Sequence, residues 1–118
     1  MNNTRRAKIR KVVRELKSIR ESYRLDIIRD EKFEEALEKC SMDIEEILYE
    51  EQFAYDNIPE SLQYSERACQ MEENIDALDN CLESIDEIIE EYDQEGRQGE
   101  FEGDYQDLID SLEELAIV

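Results

Sequence analysis

The stretch Glu50-Glu51-Gln52-Phe53-Ala54-Tyr55-Asp56-Asn57-Ile58-Pro59-Glu60-Ser61-Leu62-Gln63-Tyr64-Ser65-Glu66-Arg67 is where a helical pattern must stop and restart. Pro59, the only proline of the chain, has no backbone N–H and clashes with the carbonyl four residues back. It also drives Ile58 out of the helical region. Asp56 and Asn57, just before it, favour turns through hydrogen bonds from side chain to backbone. The reading makes Tyr55, Asp56, Asn57, Pro59, Ser61, Leu62, Ser65 and Arg67 a hinge, in which Asn57, Pro59, Ser61 and Ser65 form a turn and cap a helix and Leu62 plugs the end of a bundle.

N-terminal to the hinge, apolar residues recur at steps of three and four from Ile9 through Val12, Leu16, Ile19, Tyr23, Phe33, Leu37, Cys40, Ile44 and Ile47 to Ala54. Of the fourteen positions on this seam, eleven are apolar and Asp26, Asp30 and Glu51 are not. The pattern predicts an amphipathic helix over 5–56, with a kink, a change of register or a break near 25–31 that leaves two pieces roughly end to end. C-terminal to the hinge, Tyr64, Ala68, Met71, Ile75, Leu78, Leu82, Ile85, Ile89 and Tyr92 keep the same steps without exception, predicting a helix over 59–92. All three glycines, Gly96, Gly99 and Gly103, fall in an aperiodic run read as a linker over 93–103. A short helix over 104–118 follows, capped by Asp104 and carried by Tyr105, Leu108, Leu112 and Leu115, with Ala116, Ile117 and Val118 as its anchor. The expected fold is all-α: an antiparallel helical hairpin with a short third helix, burying its seams by forming a homodimer or higher oligomer.

Charge divides the chain. Residues 1–29 carry +7 and residues 30–118 carry −27, within a total of −20. The basic end, Arg5, Arg6, Lys8, Arg10, Lys11, Arg14 and Lys17, is a candidate anion or partner site. The same cations can instead neutralise the protein's own acids. The acidic counterpart, Glu72, Glu73, Asp76, Asp79, Glu83, Asp86, Glu87 and Glu90, is a candidate partner surface. Rows of carboxylates on helices can stand in for phosphates in the basic groove of a nucleic-acid enzyme. A hairpin would place the hinge at an acidic apex, far from the basic end. Direct binding of DNA is not expected of so acidic a chain, and one aromatic, Tyr23, in the basic stretch is too few to stack bases.

The absence of His removes the usual proton shuttle and the Ser-His and Cys-His nucleophiles. There is no glycine-rich phosphate loop, no catalytic residue is assigned, and no cofactor or metal is expected. Glu34, Glu35 and Glu38 with Glu83 and Asp86 resemble the carboxylate sets of the all-α, MazG-like nucleotide pyrophosphohydrolases. Spacings of this kind arise by chance among 34 acids. Cys40, Cys69 and Cys81 lack metal spacing and read as small buried hydrophobes of a reducing compartment. With no membrane-length apolar run and no signal-peptide core at the start, the chain reads as cytoplasmic and without a membrane partner.

The hinge with the following M-E-E-N-I-D-A-L-D-N-C-L-E-S-I-D-E-I-I resembles a family of small acidic helical proteins of bacteriophage and prophage genomes, for which no activity is known. Their usual form is E-E-Q-x-A-[FY]-D-N-x-P-E-S-L-Q-x-S-E-R, and the likeness covers roughly residues 49 to 92, with Ala68 where Gly is common. The resemblance implies a phage accessory protein acting in the host bacterial cytoplasm, a class that includes inhibitors of bacterial defence. The expected function is therefore a non-enzymatic inhibitor that meets a basic host protein, such as a nuclease, through its acidic surface. Alternatives are an oligomer that sequesters a small nucleotide at its basic end, a MazG-like pyrophosphohydrolase, and a structural oligomer.

Overall fold

The structure is a computed structural model describing residues 1–28, 30–95 and 101–117. It contains four α-helices, α1 Asn3–Arg24, α2 Asp30–Asp56, α3 Glu66–Glu95 and α4 Glu102–Ile117, and no strand among the described residues. Each helix runs antiparallel to the two it packs against, in the cyclic order α1, α2, α3, α4 and back to α1. This is an up-down-up-down four-helix bundle measuring 53 × 24 × 20 Å.

The first difference from the sequence reading lies between α1 and α2. Their junction is a full reversal, not two pieces end to end. Asp26 sits in the left-handed region at φ 63°. The Ile27 amide donates to the Ser22 carbonyl at 2.8 Å and the Asp26 amide to the Tyr23 carbonyl at 3.1 Å, which closes α1 in a Schellman motif. Asp tolerates that conformation at a cost that Gly would not incur. The hairpin of 5–56 against 59–92 is thus replaced by two successive hairpins and a fourth helix.

The second reversal is the hinge. The Asn57 side chain donates to the Phe53 carbonyl at 2.7 Å at the end of α2. Pro59 precedes a single 3₁₀ turn, Glu60–Leu62. Ser65 Oγ then accepts from the Ala68 amide at 3.2 Å, so Ser65 caps α3, which begins at Glu66 and not at Pro59. Leu62 is 52% exposed and Tyr64 95% exposed, so neither plugs the bundle or joins its seam.

The core runs the length of the bundle. On α2 the expected seam residues Phe33, Leu37, Cys40, Ile44 and Ile47 are buried, together with Glu51, while Ala54 is half-buried. From α1 come Ile9, Val12, Val13 and Leu16, and from α4 Tyr105, Leu108, Ile109, Leu112, Leu115 and Ala116. On α3 the buried row is Met71, Asn74, Leu78, Cys81, Ile85, Ile88 and Tyr92, turned slightly from the expected one so that Ile75, Leu82 and Ile89 lie at its edge. Four aromatics, Tyr23, Phe33, Tyr92 and Phe101, close one pole at ring-centroid separations of 4.5 to 6.1 Å. Phe101 was read as linker; it is buried, and α4 starts at Glu102, ahead of the expected cap Asp104. Of the expected C-terminal anchor, Ala116 is buried, Ile117 is exposed, and Val118 lies outside the described residues, as do Gly96 and Gly99.

These seams are satisfied within one chain, so they do not by themselves call for a second copy. Cys40 and Cys81 are buried, and burial pushes their thiols up to about 12 and about 11, whereas Cys69 is exposed, contrary to expectation. No described helix is long and apolar enough to cross a membrane.

The reversal after Arg24 is directly testable. In a continuous helix residues 8 and 50 would lie about 63 Å apart. In the bundle Lys8 Nζ is 2.7 Å from Glu50 Oε1, and Lys17 Nζ is 2.6 Å from Glu113 Oε1. Zero-length carbodiimide coupling of dilute protein is expected to link both pairs within one chain, read by peptide mass spectrometry of the monomer band. Links found only in a dimer band would refute the reversal.

Candidate functional site

α1 carries nine Lys or Arg against two acids, and its neighbours α2 and α4 are acidic. The seven candidate residues of the basic end are largely engaged there. Arg5 reaches Glu51 at 3.3 Å, and Lys8 reaches Glu50 and, at 3.8 Å, Glu46. Lys17 pairs with Glu113, and Arg10 donates to the Ala116 carbonyl at 3.4 Å. Beyond the seven, Arg24 pairs with Glu102, and Arg20 donates to Gln106 while its guanidinium sits over the Tyr105 ring. Arg6 donates to Asn3 at 3.3 Å, and its Nε is buried without a partner. Lys11 and Arg14 are exposed and make no ion pair among the described residues.

The basic end also lies where the hinge is. Arg5 and Lys8 touch the last turns of α2, so the hinge is not an acidic apex far from the cations. Five hinge residues, Asn57, Pro59, Leu62, Ser65 and Arg67, line a cavity of about 240 Å³ together with Met71, and Asp56 accepts from the Gln52 side chain at 2.9 Å. The Tyr55 hydroxyl has its proton held more tightly than usual, through partial burial and a hydrogen bond to Glu72. Ser61 is exposed.

A second cavity of about 480 Å³ opens between α1 and α4, lined by Arg10, Val13, Arg14, Glu113, Ala116 and Ile117. Its walls are mainly apolar and two guanidiniums stand at them, Arg14 without an anionic partner among the described residues.

The acidic candidates come together as one surface. Glu72, Glu73, Asp76, Asp79, Glu83, Asp86, Glu87 and Glu90 are all exposed on α3, and none makes an ion pair among the described residues. Glu72, Asp76, Asp79, Glu83, Asp86 and Glu90 follow steps of 4-3-4-3-4, a single row along the face opposite the core.

Carboxylates facing one another across α2 and α3 do not assemble as the pyrophosphohydrolase pattern requires. Glu34 meets Asp93, about 15 Å along α3 from Glu83. Partial burial and a hydrogen bond to Asp93 hold the Glu34 proton more tightly than in a free carboxyl. The described residues contain no cluster of three or more His, Cys, Asp or Glu able to hold a metal ion.

Sequence reasoning missed two features. Glu51, a polar defect on the expected seam, is 0% exposed and paired with Arg5, and its Oε1 has no hydrogen-bond partner among the described residues. Met42, Tyr49 and Phe53 form an apolar row on the solvent side of α2, detectable only by plotting the helix opposite its seam. No protein-family model, curated protein or solved structure matches the chain.

Arg5→Ala would leave the Glu51 carboxylate buried and unpaired, with an expected loss of about 3 kcal/mol in urea unfolding. Arg5→Met with Glu51→Leu should recover most of that loss, because an apolar pair needs no desolvation of charge. A single variant as stable as the starting protein would show that the pair does not hold this end closed.

Proposed function

We propose that this chain is a non-catalytic binding protein that engages a basic protein through the acidic face of α3. In the phage setting implied by the hinge, that protein is a nucleic-acid-processing effector of host defence, such as a nuclease, which the chain inhibits by occupying its phosphate-binding groove. The carrying observation is the exposed row Glu72, Asp76, Asp79, Glu83, Asp86 and Glu90, which makes no ion pair among the described residues. It extends for about 27 Å, close to one carboxylate per 5.4 Å, at the rise of an α-helix. One strand of duplex DNA presents a phosphate about every 3.4 Å along the axis. A groove of Lys and Arg side chains built to track phosphates can therefore reach several of these carboxylates at once.

The row is also rigid. Its backbone belongs to a 30-residue helix held by core residues on its other side, so few degrees of freedom are lost on binding. Changing the six acids to their amides keeps shape and removes charge. This variant should keep its melting temperature or gain a little as repulsion falls. Proteins captured by the starting chain from a bacterial lysate at low salt should be lost from the variant, released by salt, and displaced by duplex DNA. Capture that survives both neutralisation and competing DNA would exclude the mimic.

The cavity at Arg10 and Arg14 supports a second reading, a site for a small nucleotide. The Arg14 guanidinium, with Arg10 beside it on an apolar wall, suits an anion with a flat, weakly polar body. A nucleotide of this kind should raise the melting temperature, and Arg10→Glu with Arg14→Glu should abolish the shift. An unchanged melting curve across a nucleotide panel would exclude this reading.

A further inference from the structure

The outward face of α2 carries a feature that the fold does not use. Directly opposite the buried seam, Met42, Tyr49 and Phe53 are 71%, 62% and 73% exposed. Their spacing of seven and four residues sets them in one row, about 16 Å long at the helical rise. Scattered apolar residues on a surface need no explanation, but three large ones aligned on the solvent face of one helix do. The row is rimmed by exposed carboxylates, Glu38, Glu45 and Glu46, and the Tyr49 hydroxyl donates to Glu45 at 2.9 Å, holding the ring along the helix.

We infer that this face seats a basic amphipathic helix of the partner protein. An apolar row with an acidic rim is complementary to a helix bearing an apolar stripe flanked by Lys and Arg. Charge selects among occupants. A second copy would lay its own Glu38, Glu45 and Glu46 against the same rim, within two molecules of net charge −20 each. An anionic lipid surface is repelled in the same way. A cationic helix gains from the rim and buries the row. Such an anchor supplies what the α3 row lacks, since charge alone sets encounter and register while buried aromatic contacts set residence time. The inference rests on the reading that the partner is basic, and it adds the form in which the partner arrives.

The test uses the full chain and two fluorescein-labelled synthetic peptides of about 18 residues, about five helical turns. Both consist of the same numbers of Leu and Lys. In one, Leu recurs at i, i+3, i+4 and i+7; in the other the order is scrambled so that no apolar face forms. By fluorescence anisotropy the amphipathic peptide should bind at least about tenfold more tightly than its scrambled isomer. Tyr49→Ser with Phe53→Ser should erase that preference, as should the single change Met42→Lys, all three residues being exposed and outside the core. Amide substitution of the α3 row should weaken both peptides alike and leave the preference intact.

Equal binding of the two peptides, or a preference that survives both α2 variants, would overturn the inference. So would a dimer in sedimentation that Tyr49→Ser with Phe53→Ser converts to monomer, since the face would then belong to a second copy. If the peptides bind equally and neutralising α3 weakens both, the acidic-surface reading stands and the α2 seat falls. If neither peptide binds, both fall.

Discussion

Among the described residues, every ion pair between helices has one partner on α1. That single fact organises the molecule. α2, α3 and α4 carry −9, −11 and −6, so any bundle of those three alone would press like charges together along its whole length. α1 carries +7 and occupies a corner between α2 and α4. Most of its pairs are exposed and individually weak, but their sum removes repulsion over two of the four interfaces. The exception in kind is Arg5 with Glu51, where a carboxylate is taken wholly out of water and its desolvation is offset by the Arg5 guanidinium and by the field of the Met1 ammonium.

Geometry then leaves α3 diagonally across from the cations. Its neighbours are two other acidic helices, and it meets them through Leu78, Ile85, Ile88 and Tyr92, with a proton-holding contact between Glu34 and Asp93 where two carboxyls are forced together. α3 is held by hydrophobic burial against electrostatic opposition, and its acids face outward because nothing inside can neutralise them. The acidic surface is therefore a direct consequence of packing one basic helix with three acidic ones in a cycle. Most cations of α1 are matched by acids of α2 and α4, whereas the acids on the outer face of α3 make no ion pair among the described residues.

Much of this was legible in the sequence. The α2 seam, the hinge at Asn57 and Pro59 and the exposure of the α3 acids follow from period, turn chemistry and charge, whereas the start of α3 after Ser65 rather than at Pro59 does not. The reversal after Arg24 was not legible, because its left-handed residue is Asp26 where Gly would have announced it, and no proline follows. That turn decides whether one chain supplies three helices to the core or four, and so how much of the seams is buried within one chain. Phe101 was hidden by the neighbouring glycines, although its partners Tyr23, Phe33 and Tyr92 come from three other segments that no local pattern could join. Glu51 looked like a break in the stripe because its partner is 46 residues away. The same limit applies to the candidate site: the basic stretch was visible as charge, but which cations are already spent on internal acids is a matter of tertiary contact.

On the proposed function, a bundle built this way gains stability when a cationic partner binds its acidic side. Folding must hold α3 and the outer half of α2 against their own field, so a cationic partner that binds only the folded arrangement stabilises it by mass action in addition to making its own contacts. A neutral apolar partner would bury Met42, Tyr49 and Phe53 but leave the field untouched, and a diffuse polycation would screen the field but leave the apolar row in water. Only a partner that is both cationic and ordered as an amphipathic segment relieves both costs on adjacent helices of the same rigid frame. On the proposed function, the carboxylates of α3 attract and orient such a partner from a distance set by the screening length, about 8 Å at physiological ionic strength. The α2 row then acts only at contact, which separates the determinant of how often encounters succeed from the determinant of how long they last.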